Sequence, residues 1–298
     1  MAFEFRPGEH VQHEVRCIAR QRASKAIRAI ELADQSGIAS AVHEARRRCK
    51  QIRALLRLVR PSLREYDTEN VAVRDAARLL SPLRDAKTNV DTFDRLAVSC
   101  GLDSDRFGLI RAKLIQDHSQ QTRAADNLLA DFVIAMQGLR RRAKAWNIRG
   151  SGFGALQGGL EGTYEKCRRT MSEATRQPTA ESLHEWRKQV KYNRAQLRLL
   201  RGLWPEIIEP IREQGRLLAD ALGFDHDLAV LVDALEAMRD DVDANVQPIQ
   251  QLYEHALSTQ RGLRAEALRI GPVLYAQRPR DFGRHAKQLW LQWDVPAG

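Results

Sequence analysis

Aromatic residues, paired cysteines and long apolar runs are all scarce in this chain. Phe, Trp and Tyr make up 6% of its 298 residues, and no segment alternates apolar and polar residues as a half-buried strand does. The four cysteines include no CxxC pair, which disfavours a disulfide framework or a zinc site. No run approaches the roughly 18 apolar residues of a membrane span, and the opening MAFEFRPGEH lacks the features of a signal peptide. We therefore expect a helical protein of the reducing cytoplasm without a membrane span.

Helical periodicity extends along almost the whole chain, so the predicted fold class is all-α. Glycine, proline and serine residues divide the pattern and are expected to end helices. The breakers include Gly223, the Gly271-Pro272 pair and the glycine-rich segment 150–159. Helices are predicted near 10–35, 40–60, 69–80, 83–98, 105–146, 156–176, 180–202, 206–222, 226–241, 246–269 and 280–292.

The glycine-rich segment 150–159 is the best candidate for a boundary within the chain. Gly150, Gly152 and Gly154 also match the pattern GxGxG of nucleotide-binding loops. However, no predicted strand precedes these glycines and no GK[ST] follows them, as such loops require. We therefore interpret the segment as a linker between two halves of the chain.

The charge balance indicates a polyanionic partner. Lys and Arg number 48 against 38 for Asp and Glu, which gives a formal net charge of +10 and an isoelectric point of about 9.8. Nucleic acid, an anionic membrane surface or another phosphate polymer would each suit this charge. A helical protein that merely happens to be basic is the alternative at this point.

One basic helix occurs twice, in residues 43–60 and 184–201. At an offset of 141 the two segments share ten identities in eighteen positions. The similarity continues downstream, where ARLLSPLRDA parallels GRLLADALGFDHDLA and Asp85 corresponds to Asp227. Internal repeats fix architecture. We therefore predict two helical bundles, 8–150 and 151–292, related by an approximate two-fold axis.

Each copy places its cations on one stripe of the helix, beside an apolar arc that includes Cys49 and Leu56. Like charges three or four residues apart repel one another, and hardly any acids follow the first turn, so an external anion would relieve the repulsion. From 46 to 57 the stripe is about 17 Å long at 1.5 Å per residue, and two facing stripes would line one basic groove. The stripes are His43, Arg46, Lys50, Arg53, Arg57 and Arg60, and His184, Arg187, Lys191, Arg194, Arg198 and Arg201.

The histidines leave several roles open. His43 and His184 occupy matching positions near helix starts and could contact phosphate, hold a metal or cap and pack the helix, and protonation would strengthen anion binding at mildly acidic pH. His10 and His13 are spaced as a weak metal pair, whereas His226 resembles a helix cap. The chain contains no HExxH, GxSxG or kinase-type motif. We therefore predict no metal, no cofactor and no catalytic residue.

The paired segments VHEARRRCKQIRALLRLVRP and LHEWRKQVKYNRAQLRLLRGLWP, with ENVAVRDAARLLSPLRDAKTNVDTF and FDHDLAVL downstream, resemble the two halves of a CHAD domain from about residue 8 to 290. This resemblance implies two helical bundles around a basic cavity, binding of inorganic polyphosphate without catalysis, and association with polyphosphate granules. Cys49 and Asn193 depart from the usual apolar residues. With neighbouring cations added, the candidate site is Arg20, His43, Arg46, Arg47, Lys50, Arg53, Arg57, Arg168, His184, Arg187, Lys188, Lys191, Arg194 and Arg198.

Two other functions remain open at the level of sequence. A nucleic-acid-binding protein would share the electrostatics, and weaker nucleic-acid binding through charge is expected in any case. However, Trp186 and Tyr192 are the only aromatic residues on the basic helices, and no base-reading motif is present. An enzyme acting on polyphosphate would need a metal cluster or a base near the phosphates, for which the sequence gives no pattern.

Overall fold

The computed structural model describes residues 3–100, 108, 110–112, 114, 115, 125–241 and 246–294. Helices dominate these ranges, and an isolated bridge between residues 63 and 148 is their one strand-like contact. The predicted all-α class is therefore confirmed. In chain order the helices are α1 (Val11–Glu31), α2 (Ala33–Ser36), α3 (Ile38–Leu58), α4 (Tyr66–Leu79), α5 (Pro82–Cys100), α6 (Ala125–Arg142), α7 (Gly154–Arg176), α8 (Ala180–Leu199), a short 3₁₀ helix (Arg201–Leu203), α9 (Pro205–Asp241), α10 (Val246–Leu274) and α11 (Pro279–Trp293).

Local sequence explains where the basic helices lie. At the start of α8 the side chains of Thr179 and Ser182 each accept a hydrogen bond from the other residue's backbone N–H, which forms a capping box. In α3 the predicted apolar arc is fully buried, including Cys49, Ile52 and Leu56. This burial fixes the rotation of α3 and leaves its cations beside the core.

A large apolar core extends across the predicted boundary at residue 150. It includes Val15 of α1, Leu55 of α3 and Phe132 of α6, and also Leu160 of α7 and Trp290 of α11. A second cluster joins α5 to α9 and α10, so a helix of the first half also packs on helices of the second. The division into two symmetric bundles stays a prediction.

Two glycines predicted to end helices lie inside them instead. Residues 205–241 form one helix through Gly223, and α10 continues through the Gly271-Pro272 pair to residue 274. A Cβ atom on Gly223 would lie 3.0 Å from Nη2 of Arg187, and one on Gly271 would lie 2.5 Å from the ring of Trp186. These glycines allow close packing of neighbouring side chains rather than a turn.

The glycine-rich segment likewise combines a turn with a packing contact. Gly150 and Gly152 adopt positive φ angles of 81° and 49° in the turn before α7. Gly159 lies inside α7, where a Cβ atom would stand 2.0 Å from the carbonyl oxygen of Leu58. The absence of a side chain therefore lets α7 approach the end of α3.

Other sequence predictions have mixed outcomes. His226 lies within α9 and is therefore not the helix cap that we predicted. The predicted helix 105–146 ends earlier, at Arg142, and its first part falls largely outside the described residues. The side chain of Asp85 also lies outside the described part. None of the described helices is both long and apolar enough to cross a bilayer.

Candidate functional site

The two repeated basic helices, α3 and α8, pack directly against each other. The side-chain amide of Gln196 is fully buried and donates to the carbonyl oxygen of Ala54 at 3.4 Å. Three residues further along α3, the guanidinium of Arg57 covers the ring of Tyr192 at 3.9 Å. Residue numbers rise along α3 as they fall along α8, so the helices run in opposite directions. The C-terminal part of each helix therefore lies near the N-terminal part of the other.

One group of cations, which we call the Tyr192 cluster, joins the two arginines over this ring to cations whose charges act on Lys166. Its members are Arg53 and Arg57 of α3, Arg60 just after α3, Lys166 of α7 and Lys188 of α8. Burial lowers the pKa of the Lys166 ammonium group, and the charges of Arg60 and Arg57 lower it further, with smaller effects from Arg169 and Lys188. Burial likewise lowers the pKa of Arg53, and Arg57 contributes in the same direction. The folded chain thus holds these positive charges close together at an electrostatic cost.

A second group, the Arg198 cluster, gathers Arg194 and Arg198 of α8, Arg47 and Arg48 of α3, Arg22 and Lys25 of α1, and Arg212 of α9. The pKa of Arg198 is lowered by burial and then by Arg212, Arg47 and Arg48. Burial, assisted by Arg48 and Arg198, lowers the pKa of Arg22 to about 10. Each cluster therefore includes cations from both basic helices.

The repeat relates the two clusters. At the offset of 141, Arg53 and Arg57 of the first cluster correspond to Arg194 and Arg198 of the second. In the other direction, Lys25 corresponds to Lys166, and Arg47 corresponds to Lys188, by the same offset. Each cluster thus takes its stripe residues from one basic helix and cations beside the stripe, Lys188 or Arg47, from the other. The single groove expected from the sequence stays a prediction.

Several predicted site residues use their hydrogen-bond donors within the fold. Nη1 of Arg46 donates to the carbonyl oxygen of Ala77 at 2.7 Å and to the hydroxyl of Ser81 at 2.8 Å. Nη1 of Arg168 donates to the carbonyl oxygens of residues 275 and 277 after the end of α10. These two arginines therefore tie helices together.

Arg187 is similarly enclosed. The residue is 9% exposed to solvent, and its Nη1 lies 3.8 Å from a carboxylate oxygen of Asp227. Among the other predicted residues, Arg20, His43 and Lys50 are exposed and Lys191 is half-buried. Arg47 and Lys188 form ion pairs with a glutamate of their own helix, three positions before each cation.

His184 carries little charge at neutral pH. Its ring lies 4.5 Å from the ring of His226, and burial lowers the pKa of His184 to about 4, with further contributions from His226 and Arg187. Its buried Nδ1 has no hydrogen-bond partner within the described part of the chain. Burial therefore opposes the gain of positive charge by His184 at mildly acidic pH, and its role in binding stays a prediction.

Sequence reasoning missed two residues that contact the cations. Oδ1 of Asn70, on α4, accepts hydrogen bonds from both Arg53 and Arg57. The ring of Tyr192 is 4% exposed and lies beneath the same two guanidinium groups. Helical periodicity gives no signal for either contact, because each joins residues of different helices.

The spacing of His10 and His13 gives only a weak indication of a metal pair. Among the described residues, His13 lies beside Glu9 and Glu14, with potential ligand atoms of the three within 4.8 Å of one another. The carboxylate of Glu14 is already paired with Arg6 at 2.6 Å. This group therefore provides no independent support for a metal site.

Comparisons with known proteins agree on the fold. The family model for the CHAD domain matches residues 19–236. A search of curated proteins found no match. The solved CHAD domain from the plant Ricinus communis has a TM-score of 0.68 at 16% identity, covering 94% of this chain and 96% of that chain. PptA from Streptomyces chartreusis has a TM-score of 0.56 at 13% identity, covering 95% of this chain and 100% of that chain. At these identities the two structures establish a similar fold.

Proposed function

This chain belongs to the CHAD domain family, and on that premise we propose that it binds inorganic polyphosphate and does not turn it over. The family resemblance supplies the ligand class, and the two cationic clusters supply the means of binding. Guanidinium groups give paired contacts to phosphate oxygens, whereas ammonium groups give compact charges. Association with polyphosphate granules in the cytoplasm follows as an expectation from the same resemblance.

The observation that carries this proposal is the mutual crowding of cations from both basic helices. Lys166 and Arg198 have lowered pKa values because burial and neighbouring positive charges oppose their charged forms. Such an arrangement lowers the stability of the free protein, because like charges held close together repel one another. A bound polyanion would offset the repulsion in both clusters.

The aromatic residues of the basic helices favour a phosphate polymer over nucleic acid. Trp186 is fully buried, and Tyr192 is 4% exposed with the guanidinium of Arg57 on its ring. Stacking on single-stranded bases requires an exposed aromatic face. These two rings therefore leave the phosphate backbone as the feature that the clusters recognise.

A competition titration tests the ligand class. Fluorescent long-chain polyphosphate is bound to the protein and displaced with unlabelled polyphosphate, DNA or RNA at equal phosphate concentration. We expect polyphosphate to compete best, and affinity to fall steeply as salt rises. Stronger competition by DNA or RNA would instead identify a nucleic-acid-binding protein.

A parallel assay with Mg²⁺ tests for turnover. It should detect no release of orthophosphate from polyphosphate, and release above the rate without protein would indicate an enzyme.

Charge reversal tests the site. Reversing Lys50, Arg53, Lys191 and Arg194 together should abolish binding, because charged hydrogen bonds are worth about 1.5–3 kcal/mol each. The matched control reverses four exposed cations outside both clusters, Lys144, Arg261, Arg269 and Lys287. Equal affinity of the fourfold variant and the parent would exclude these helices as the binding surface.

A further inference from the structure

Two arginines of the Tyr192 cluster are held in place by neutral groups. Nε of Arg53 donates to Oδ1 of Asn70 at 3.2 Å, and Nη1 of Arg57 donates to the same oxygen at 2.8 Å. The ring of Tyr192 lies beneath them, with its centre 5.6 Å from the guanidinium carbon of Arg53 and 3.9 Å from that of Arg57. One amide oxygen and one aromatic face thus orient two positive charges side by side.

The neutrality of this support matters for anion binding. A carboxylate in place of the Asn70 amide would orient the same guanidinium groups, but it would also cancel part of their charge. Within the described residues, no carboxylate forms an ion pair with Arg53, Arg57 or Lys166. The principal groups that shift the pKa of Lys166 are likewise burial and four cations. Lys188 is paired with Glu185, and Arg53 lowers the pKa of the nearby Asp75 carboxyl without forming an ion pair with it. The charges of Arg57 and Lys166, and most of that of Arg53, therefore remain available to a ligand.

The Arg198 cluster is compensated to a greater extent. Glu44 pairs with both Arg47 and Arg48, and Glu209 pairs with Arg212. Arg194 forms no ion pair with a carboxylate of the described part of the chain, but Asp220 raises its pKa against the effect of burial. An incoming anion must compete with these carboxylates for the arginines.

We propose that the Tyr192 cluster is the primary anion site, which retains a short oligophosphate, with Asn70 and Tyr192 as its positioning residues. The Arg198 cluster adds affinity when the chain is long enough to reach it. From Arg48 to Arg57, α3 extends about 14 Å at 1.5 Å per residue, so a phosphate trimer held by Arg57 and Lys166 does not reach the α3 arginines of the Arg198 cluster. This assignment rests on the proposed function and divides its site into two parts of unequal strength.

Binding of tripolyphosphate and of long-chain polyphosphate separates the two parts. Arg53→Gln with Arg57→Gln should weaken tripolyphosphate binding by about 10- to 150-fold, the loss of one charged hydrogen bond or more. For the double variant Arg194→Gln, Arg198→Gln, the fold-loss of tripolyphosphate affinity should be at least ten times smaller than for the first double variant. The increase in affinity from tripolyphosphate to long-chain polyphosphate should also be smaller than in the parent. Equal losses of tripolyphosphate in the two double variants would overturn the assignment. Failure of the parent to bind either ligand would instead overturn the proposed function.

Asn70→Asp tests positioning separately from folding. The carboxylate keeps an acceptor for both arginines, so thermal stability should stay equal or rise. Tripolyphosphate affinity should nevertheless fall roughly tenfold and the salt dependence should decrease by about one counterion. Gln51→Glu is the matched control, because the Gln51 amide oxygen accepts from Arg48 at 3.2 Å in the other cluster. An unchanged affinity in N70D, or an equal loss in Q51E, would reduce Asn70 to a structural role.

Discussion

Lys166→Met should make the free protein more stable and its binding weaker. The ammonium group of Lys166 is half-buried, and Arg60, Arg57, Arg169 and Lys188 all lower its pKa after burial. Methionine keeps an unbranched apolar chain of similar reach and removes the charge. Each like-charge pair costs a few tenths of a kcal/mol at a solvent-screened position, so removal of four such pairs should stabilise the fold by about 1 kcal/mol.

The assay is thermal unfolding with and without polyphosphate. For a chain of this size about 1 kcal/mol raises Tm by roughly 2–3 °C, whereas the loss of one charged contact should weaken polyphosphate binding by about tenfold. Lys144→Met is the control, because Lys144 is exposed and outside both clusters, and its effect should stay within about 0.5 kcal/mol. A less stable K166M with undiminished affinity would refute the idea that the cluster is strained by its own charge.

Further predictions concern packing and pH. Gly159→Ala should destabilise the fold by about 3 kcal/mol, because the added Cβ meets the Leu58 carbonyl oxygen at 2.0 Å, whereas Gly162→Ala, which meets nothing within 4 Å, should be neutral or stabilising by chemical denaturation. Because the folded pKa of His184 is about 4 against 6.5 in the unfolded chain, stability should fall as pH drops from 6.5 towards 4. The loss should be about 1–2 kcal/mol after solvent screening, and His184→Gln should flatten this part of the pH–stability curve; an unchanged slope would contradict the assignment.

The sequence predicts the helices and the basic repeat because both are local patterns. Burial of Cys49, Ile52 and Leu56 follows directly from their spacing along α3. Glycines are ambiguous for a physical reason, since the same residue serves a turn or a close contact. From sequence, Gly223 is predicted to end a helix. In the structure, Arg187 of another helix occupies the space that a side chain at position 223 would need.

The organisation of the site depends on contacts between helices, which spacing does not encode. The stripe predicts Arg53 and Arg57 on one side of α3, but the ring of Tyr192 beneath them comes from α8. Arg48 falls off the stripe, yet its charge lowers the pKa of Arg198 across the packed helices. Antiparallel packing of α3 and α8 thus converts two linear stripes into two clusters.

The affinity for polyphosphate as a function of chain length, measured by titration calorimetry at fixed salt, tests most directly whether two cationic clusters bind one polymer. We expect measurable binding of tripolyphosphate, a rise in affinity as the chain grows long enough to reach both clusters, and then a plateau. Affinity per chain that does not change between tripolyphosphate and a long polymer, or the absence of binding to either, would rule out a polyphosphate site made of two clusters.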